Sequence, residues 1–349
     1  MTDLKKKAMI NELKEYFEYD KILSEDMKSE LLELKGKYND KWMQVVYDYF
    51  YSHIDEEGNN ISLELYLINN KENEAYYKEV DEVFEKELFK NNKPLFFLDV
   101  DNTLTNYAHL SDEKKEFISN YKEKERVILT TGKTYESILN VIEDCNLHEN
   151  YASSLNGSLL VDKGELKVIA KVGNVSRDIC DDLNKTNINY IIYYKDSIHI
   201  IKDLNEDNER MLKKYNEWYV DDKKEINYDD IIKILTFIYE GETEKEEVVK
   251  KIVSKYDGLV CMRTAGHCYE ILRNNQHKGN TIKIISKLMG RYYRTSIGVG
   301  DSMNDLPLLN HVGKAYVVST ASDELKSYGF ESLEDNRDID IVNLIKKYD

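Results

Sequence analysis

The run Leu95-Phe96-Phe97-Leu98, passing directly into Asp99-Val100-Asp101, constrains this chain more than any other feature. Four consecutive large apolar residues show no alternation, so both faces of the segment need burial. That is the pattern of an inner strand of a parallel sheet. Pro94, one of only 2 prolines, closes the region before it. The two carboxylates then fall beyond the carboxyl end of the strand, where open α/β sheets bind their ligands.

Strands and helices alternate from there. Val127-Ile128-Leu129 and Ser296-Ile297-Gly298-Val299 read as further core strands, with helical stretches following at about 134–145 and 304–311. Such alternation implies an α/β fold, a Rossmann-like core built on a parallel sheet. Residues 159–270 differ. Strand-like runs at 166–172, 190–201, 231–239 and 268–272 mix with helical runs at 176–185, 206–218 and 243–256. This reads as an inserted α+β unit with helices on one face of a largely antiparallel sheet. Before Pro94 the apolar positions recur at helical spacing, as in Trp42, Val46, Tyr49 and Phe50, and again in Tyr76, Val80, Phe84 and Leu88. The expected organisation is a helical segment at 1–92, a core at 93–158 and 271–349, and an insertion at 159–270.

Composition narrows the partners. With 49 basic against 66 acidic residues the formal net charge is −17, which repels nucleic acid and anionic lipid. Any phosphate site therefore needs a metal and local cations. The 4 cysteines, Cys145, Cys180, Cys261 and Cys268, form no C-x-x-C pair, so zinc and thioredoxin-like sites are unsupported. The first residues are charged throughout, unlike a signal peptide, and no apolar run is long enough to span a membrane. A cytoplasmic location is expected.

Four signals carry chemistry, all beyond Pro94. Asp99 and Asp101 stand two apart at a strand end, so that one can attack phosphorus while the other moves a proton. Thr130-Thr131-Gly132-Lys133 ends the next strand, and a hydroxyl with loop amides suits a phosphoryl oxygen. His277-Lys278-Gly279 opens a helix; taken alone, such a lysine is usually solvated. Gly300-Asp301-Ser302-Met303-Asn304-Asp305 follows another apolar strand and adds two carboxylates and an amide. Hard oxygen ligands of this kind suit Mg²⁺, and four carboxylates gathered without a cation would repel one another.

In this order the signals resemble the haloacid-dehalogenase superfamily: D-x-D-x-T, a hydroxyl before glycine, a lysine, then G-D-x-x-N-D. The chain is most similar to the Cof-type phosphatases with a class II cap, whose landmarks include Asn156-Gly157 and Tyr269-Glu270-Ile271. Gly132-Lys133-Thr134 and the segment from Gly300 to Leu309 are also similar to mannosyl-3-phosphoglycerate phosphatases. The resemblance covers about residues 93–349. Asn102 departs from it, standing where most members have glycine, yet asparagine tolerates left-handed backbone angles.

The resemblance implies a Mg²⁺-dependent phosphatase acting on a small phosphorylated metabolite, a sugar phosphate, through an aspartyl-phosphate. Asp99 is implied as nucleophile and Asp101 as general acid/base. Thr131, Lys278 and Asn304 would bind the phosphoryl group. Asp99, the backbone carbonyl of Asp101, and Asp301 would hold the metal, with Asp305 close by. The insertion would be a cap, and Asn156, Arg263, Thr264 and His267 are candidate substrate contacts. A phosphomutase would share the intermediate but needs a cap that excludes water. A binding or regulatory protein is the third reading, with residues 1–92 contacting a second copy or another protein.

Because no catalytic signal precedes Pro94, a chain shortened to begin at Asn91 is expected to keep its turnover of an aryl phosphate. Circular dichroism and a rate assay on the purified fragment check this. A folded fragment without activity would place part of residues 1–92 in or over the site.

Overall fold

The computed structural model describes residues 93–349 except 107–108, 201–205, 207–208, 211–225, 240, 265–267, 290 and 292. The helical reading of residues 1–92 and most of that at 206–218 therefore lie outside the described residues. Among the described residues no helix is long and apolar enough to cross a membrane.

The central strand is β1 (Phe96–Asp99), and every residue in it is buried. Phe96 and Leu98 join one core cluster, while Phe97 between them is equally buried but outside that cluster. This is the two-faced burial that an unbroken apolar run requires. On one side β1 pairs in parallel with β2 (Val127–Thr130), with Asp99 opposite Thr130. The chain passes between them through α1 (Asp112–Asn120), started by Ser111, whose hydroxyl accepts the Lys114 amide. After β2 it runs through α2 (Leu139–Cys145) into β3 (Tyr151–Ser154), again parallel.

Two antiparallel strands extend this sheet, β4 (Leu159–Asp162) and β5 (Glu165–Val168). Their connection, Lys163-Gly164, holds both residues at positive φ, 51° and 81°, the two-residue turn whose twist matches a hairpin. The insertion was expected from residue 159, but these strands continue the first sheet to Val168. Leu159, Leu160 and Val161 are all buried, so β4 completes the core rather than leaving it.

The second sheet has the order β7-β6-β8-β10-β9 and is antiparallel throughout. It comprises β6 (Asn189–Tyr193), β7 (Ile198–Ile200), β8 (Lys233–Phe237), β9 (Leu259–Thr264) and β10 (Cys268–Arg273). The single run expected at 190–201 is a hairpin broken at Lys195-Asp196, where Tyr194 N–H meets the Ser197 carbonyl. The sequence reading missed β9, an edge strand. Helices α3 (Ser176–Asn184) and α4 (Thr243–Val253) pack Ile179, Leu183, Val249 and Ile252 with Tyr190, Ile192, Ile234 and Tyr269 of the sheet. The alternate residues Ile191, Tyr193, Leu235 and Phe237 cluster with Leu155 and Leu159 of the first sheet. Period-2 alternation thus gives this sheet one face for its own helices and one for the core.

The chain returns through α5 (Ile282–Leu288) to β11 (Ile297–Gly300), which pairs in parallel with the free side of β1. It continues through α6 (Leu306–His311), β12 (Lys314–Val317), α7 (Asp323–Lys326), β13 (Glu331–Ser332) and α8 (Asp340–Lys347). The first sheet then has the order β13-β12-β11-β1-β2-β3-β4-β5. The chain leaves β1 toward β2 and comes back on the other side at β11. The carboxyl ends of β1 and β11 therefore flank a switch point, where such sheets bind ligands.

A buried ion pair lies where the sheets meet. Lys233 Nζ is 2.6 Å from Glu270 Oε1 and donates to the Gly132 carbonyl at 2.9 Å. Glu270 Oε2 accepts from the Asn156 amide at 2.7 Å. Replacing Lys233 with Met leaves a buried carboxylate whose charge nothing balances, which costs about 3–5 kcal/mol. A urea titration of the Lys233→Met protein should show that loss; a shift below about 1 kcal/mol would mean the junction holds by apolar contact alone.

Candidate active site

Asp99 sits at the end of β1 and is 2% exposed. Its neighbour across the switch point is the loop after β11. Gly300 is required there by close approach, since a Cβ on it would lie 2.4 Å from the Asp305 Cβ. Ser302 and Asp305 then form a reciprocal capping box. Asp305 Oδ2 accepts the amides of Asp301 and Ser302 at 2.9 and 3.2 Å, and Pro307 follows in the first turn of α6. These local rules turn the Asp301 and Asp305 carboxylates toward β1.

Lys278, 2% exposed just before α5, joins the two loops. Its Nζ lies 2.6 Å from Asp99 Oδ1 and 2.6 Å from Asp305 Oδ1. The approach of this segment depends on Gly157, at φ 75°, where a Cβ would stand 2.2 Å from the His277 carbonyl oxygen. Burial alone would depress the Lys278 pKa, but the carboxylates of Asp305 and Asp99 outweigh it and hold it above its ordinary value.

Asp99, Asp301 and Asp305 each place one oxygen within 4.8 Å of the others. Three carboxylates face one ammonium, and the imbalance falls on Asp99 and Asp301. Burial, then Asp305, raises the Asp99 pKa well above the carboxylate range. The same causes push Asp301 up to about 7. Asp99 Oδ2 is buried with no hydrogen-bond partner. Three carboxylates set against one ammonium leave an excess of negative charge that fits a divalent cation, and the all-oxygen donors suit Mg²⁺. Asp305 has both oxygens engaged, one by Lys278 and one by amides, so Asp99 and Asp301 are the freer ligands. The Asp101 side chain is outside this group and pairs with Lys133 at 2.7 Å.

The remaining expected residues divide. Thr131 follows β2 and is 1% exposed; its hydroxyl accepts the Lys133 amide at 3.1 Å, and its own amide donates to the Ser153 carbonyl. Asn304 lies within the Asp301–Asp305 loop and accepts from the Ser302 hydroxyl at 2.6 Å. Asn156 is buried, bonded to Glu270, and its Oδ1 would crowd any side chain at Gly132, 2.8 Å from a Cβ there. It shapes the Thr131–Lys133 loop. Arg263 is exposed in β9, opposite Tyr269 in register, and so on the helix-covered face. The structure does not bring it to the acidic cluster. Thr264 closes β9, and His267 lies outside the described residues. Sequence reasoning passed over Lys133 as a site residue, although a cation directly after Gly132 was a usable signal.

The same fold recurs in known proteins. Residues 96–343 match the family model of haloacid dehalogenase-like hydrolases. A glucosyl-3-phosphoglycerate/mannosyl-3-phosphoglycerate phosphatase of Methanococcoides burtonii is 23% identical over 65% of this chain and 85% of its own length. A Thermotoga maritima crystal structure superposes with TM-score 0.64 at 21% identity, over 73% of this chain and 97% of that one. A sugar phosphatase of HAD subclass IIB does so with TM-score 0.61 at 17% identity, over 74% and 99%. At these identities the two structures establish the fold.

The raised carboxylate pKa values give a signed prediction for the metal-free protein. A carboxyl group whose folded pKa lies above its unfolded value stabilises the fold when protonated and loses that contribution as pH rises through the folded pKa. In chelator, the thermal midpoint should fall between pH 5 and pH 8, the window in which Asp301 titrates at about 7. Added Mg²⁺ should raise the midpoint more at pH 8 than at pH 5. A midpoint that climbs over this range without metal would contradict the crowding of Asp99, Asp301 and Asp305.

Proposed function

The chain belongs to the haloacid dehalogenase-like hydrolases and is a phosphoric monoester hydrolase, and on that premise we propose that it hydrolyses a sugar phosphate or similar small phosphorylated metabolite through an aspartyl-phosphate on Asp99. The observation that carries the reading is the state of Asp99. One carboxylate oxygen is fixed by Lys278, and the other is buried, unpartnered and at the end of β1.

The unpartnered oxygen attacks phosphorus, the bond from phosphorus to the leaving oxygen breaks, and Asp101 gives that oxygen a proton. Water then attacks the phosphorus of the acyl-phosphate, Asp101 takes its proton, and Asp99 is released with inorganic phosphate. Lys133, paired with Asp101, keeps it oriented between these two transfers. Thr131, Lys278 and Asn304 would bind the phosphoryl oxygens. A Mg²⁺ held by Asp99, Asp301 and the Asp101 carbonyl would supply charge neutralisation for the transferring group. In a loose transition state such positioning and neutralisation supply most of the acceleration. The second sheet serves as a cap over the switch point, and the protein works in the cytoplasm on a soluble substrate.

The test is a panel of phosphorylated metabolites and an aryl phosphate, assayed with Mg²⁺. Hydrolysis should disappear in chelator and should not return with Ca²⁺, whose larger and looser coordination favours a bidentate Asp99. Asp99→Asn should lower turnover by at least about 10³-fold, because an amide cannot form the acyl-phosphate. Substantial activity in that variant would overturn the nucleophile assignment.

A further inference from the structure

Behind the catalytic turn lies a buried ionic group that the reaction above does not use. Arg337 Nη1 is 2.6 Å from Asp340 Oδ2, and Lys114 Nζ is 2.8 Å from Asp340 Oδ1. Lys114 and Asp340 are 1% and 2% exposed. Burial depresses the Lys114 pKa, partly offset by Asp340. Arg337 Nε is buried without a partner, and the backbone hydrogen bonds of the two cations all go to one stretch. Arg337 Nη2 donates to the carbonyls of Asn102 at 2.6 Å, Thr103 at 2.9 Å and Thr105 at 3.4 Å. Lys114 Nζ donates to the carbonyl of Leu104 at 3.1 Å. Four consecutive carbonyls, from Asn102 to Thr105, are thus held by two cations from α1 and from the segment before α8.

This stretch begins at the residue after Asp101. Asn102 has φ 58° and ψ 4°, the left-handed region that glycine enters freely and asparagine enters at some strain. A conformation of that kind persists only where the surroundings over-determine it. Here the shortest of these backbone bonds, at 2.6 Å, is made by Arg337 to the Asn102 carbonyl. The guanidinium fork meets the carboxylate from Nη1 and the carbonyls from Nη2, two separated donor atoms where an ammonium has a single nitrogen.

We propose that Arg337, anchored by Asp340 and seconded by Lys114, is a positioning residue that clamps the Asn102–Thr105 turn and thereby aims Asp101 at the leaving oxygen. This rests on the reading of Asp101 as general acid. The clamp acts through geometry and touches no substrate, so its loss lowers kcat where the proton matters most and leaves KM unchanged.

The experiment compares wild type, Arg337→Ala, Arg337→Lys and Asp101→Asn with Mg²⁺ on aryl phosphates graded by the basicity of the leaving phenol, with an alkyl phosphate at the far end. Arg337→Ala should lose about 10- to 100-fold in kcat on the alkyl phosphate, the scale of a misplaced catalytic group. On the most acidic phenol it should lose less than about 3-fold, because that leaving group needs little protonation. Millimolar guanidinium should restore part of the alkyl phosphate rate to Arg337→Ala and none to Asp101→Asn. A loss uniform across the series, or no loss, overturns the clamp. Asp101→Asn separates the two failures: a steepened series there with a flat one in Arg337→Ala sinks the clamp alone. A flat series in Asp101→Asn sinks the general-acid reading and the clamp with it. If Arg337→Ala does not fold, Arg337→Lys carries the same comparison, since its single nitrogen replaces two separated donor atoms.

Discussion

The contact on which this structure turns is the Lys278 ammonium shared between Asp99 and Asp305, 2.6 Å from each and almost wholly buried. Desolvating two carboxylates and an amine is costly, and such a group persists only with close pairing and further hydrogen bonds. The fold provides both. Asp305 is satisfied by the Asp301 and Ser302 amides, and its chain position is fixed by the capping box and Pro307. Asp99 is left with one free oxygen. The ammonium answers part of the negative charge, and what it leaves unanswered is the charge a divalent cation would meet.

The same economy of contact extends outward from the cluster. Asn156-Gly157 follows β3 and does two tasks. Gly157 lets the lysine segment approach, and Asn156 braces the Gly132 loop while binding Glu270 of the second sheet. Lys233 ties the same Gly132 carbonyl to Glu270. The loop carrying Thr131 and Lys133 is therefore gripped by the sheet that would form the cap. Displacement of that sheet must be felt at the loop, and through Lys133 at Asp101.

Much of this was legible in the sequence because the chemistry is local. Asp99, Asp101, Asp301 and Asp305 lie at the ends of two apolar runs, and strand burial alone predicts those runs. Lys278 was legible through its setting among the other motifs rather than through any property of its own. What escaped depends on distant pairings. Arg337 meets the Asn102 carbonyl across 235 residues, and Lys233 meets Glu270 across two strands. No periodicity marks such partners, and each alone resembles a surface charge. The insertion boundary slipped for a related reason. Lys163-Gly164 can join strands of either sheet, and only the pairing of β4 with β3 assigns it to the first. Arg263 was nominated by its nearness in sequence to the returning chain, but register turns it toward the helices.

Covalent phosphorylation of the free Asp99 oxygen is captured by acid-quenching the enzyme during turnover, reducing the acyl-phosphate with borohydride, and sequencing the peptides by mass spectrometry. Reduction converts a phosphorylated aspartate to homoserine. Homoserine is expected at position 99, absent without substrate, with unmodified aspartate at 101, 301 and 305. Homoserine at any of those three instead, or none at all from an enzyme caught in rapid turnover, would contradict the nucleophile assignment.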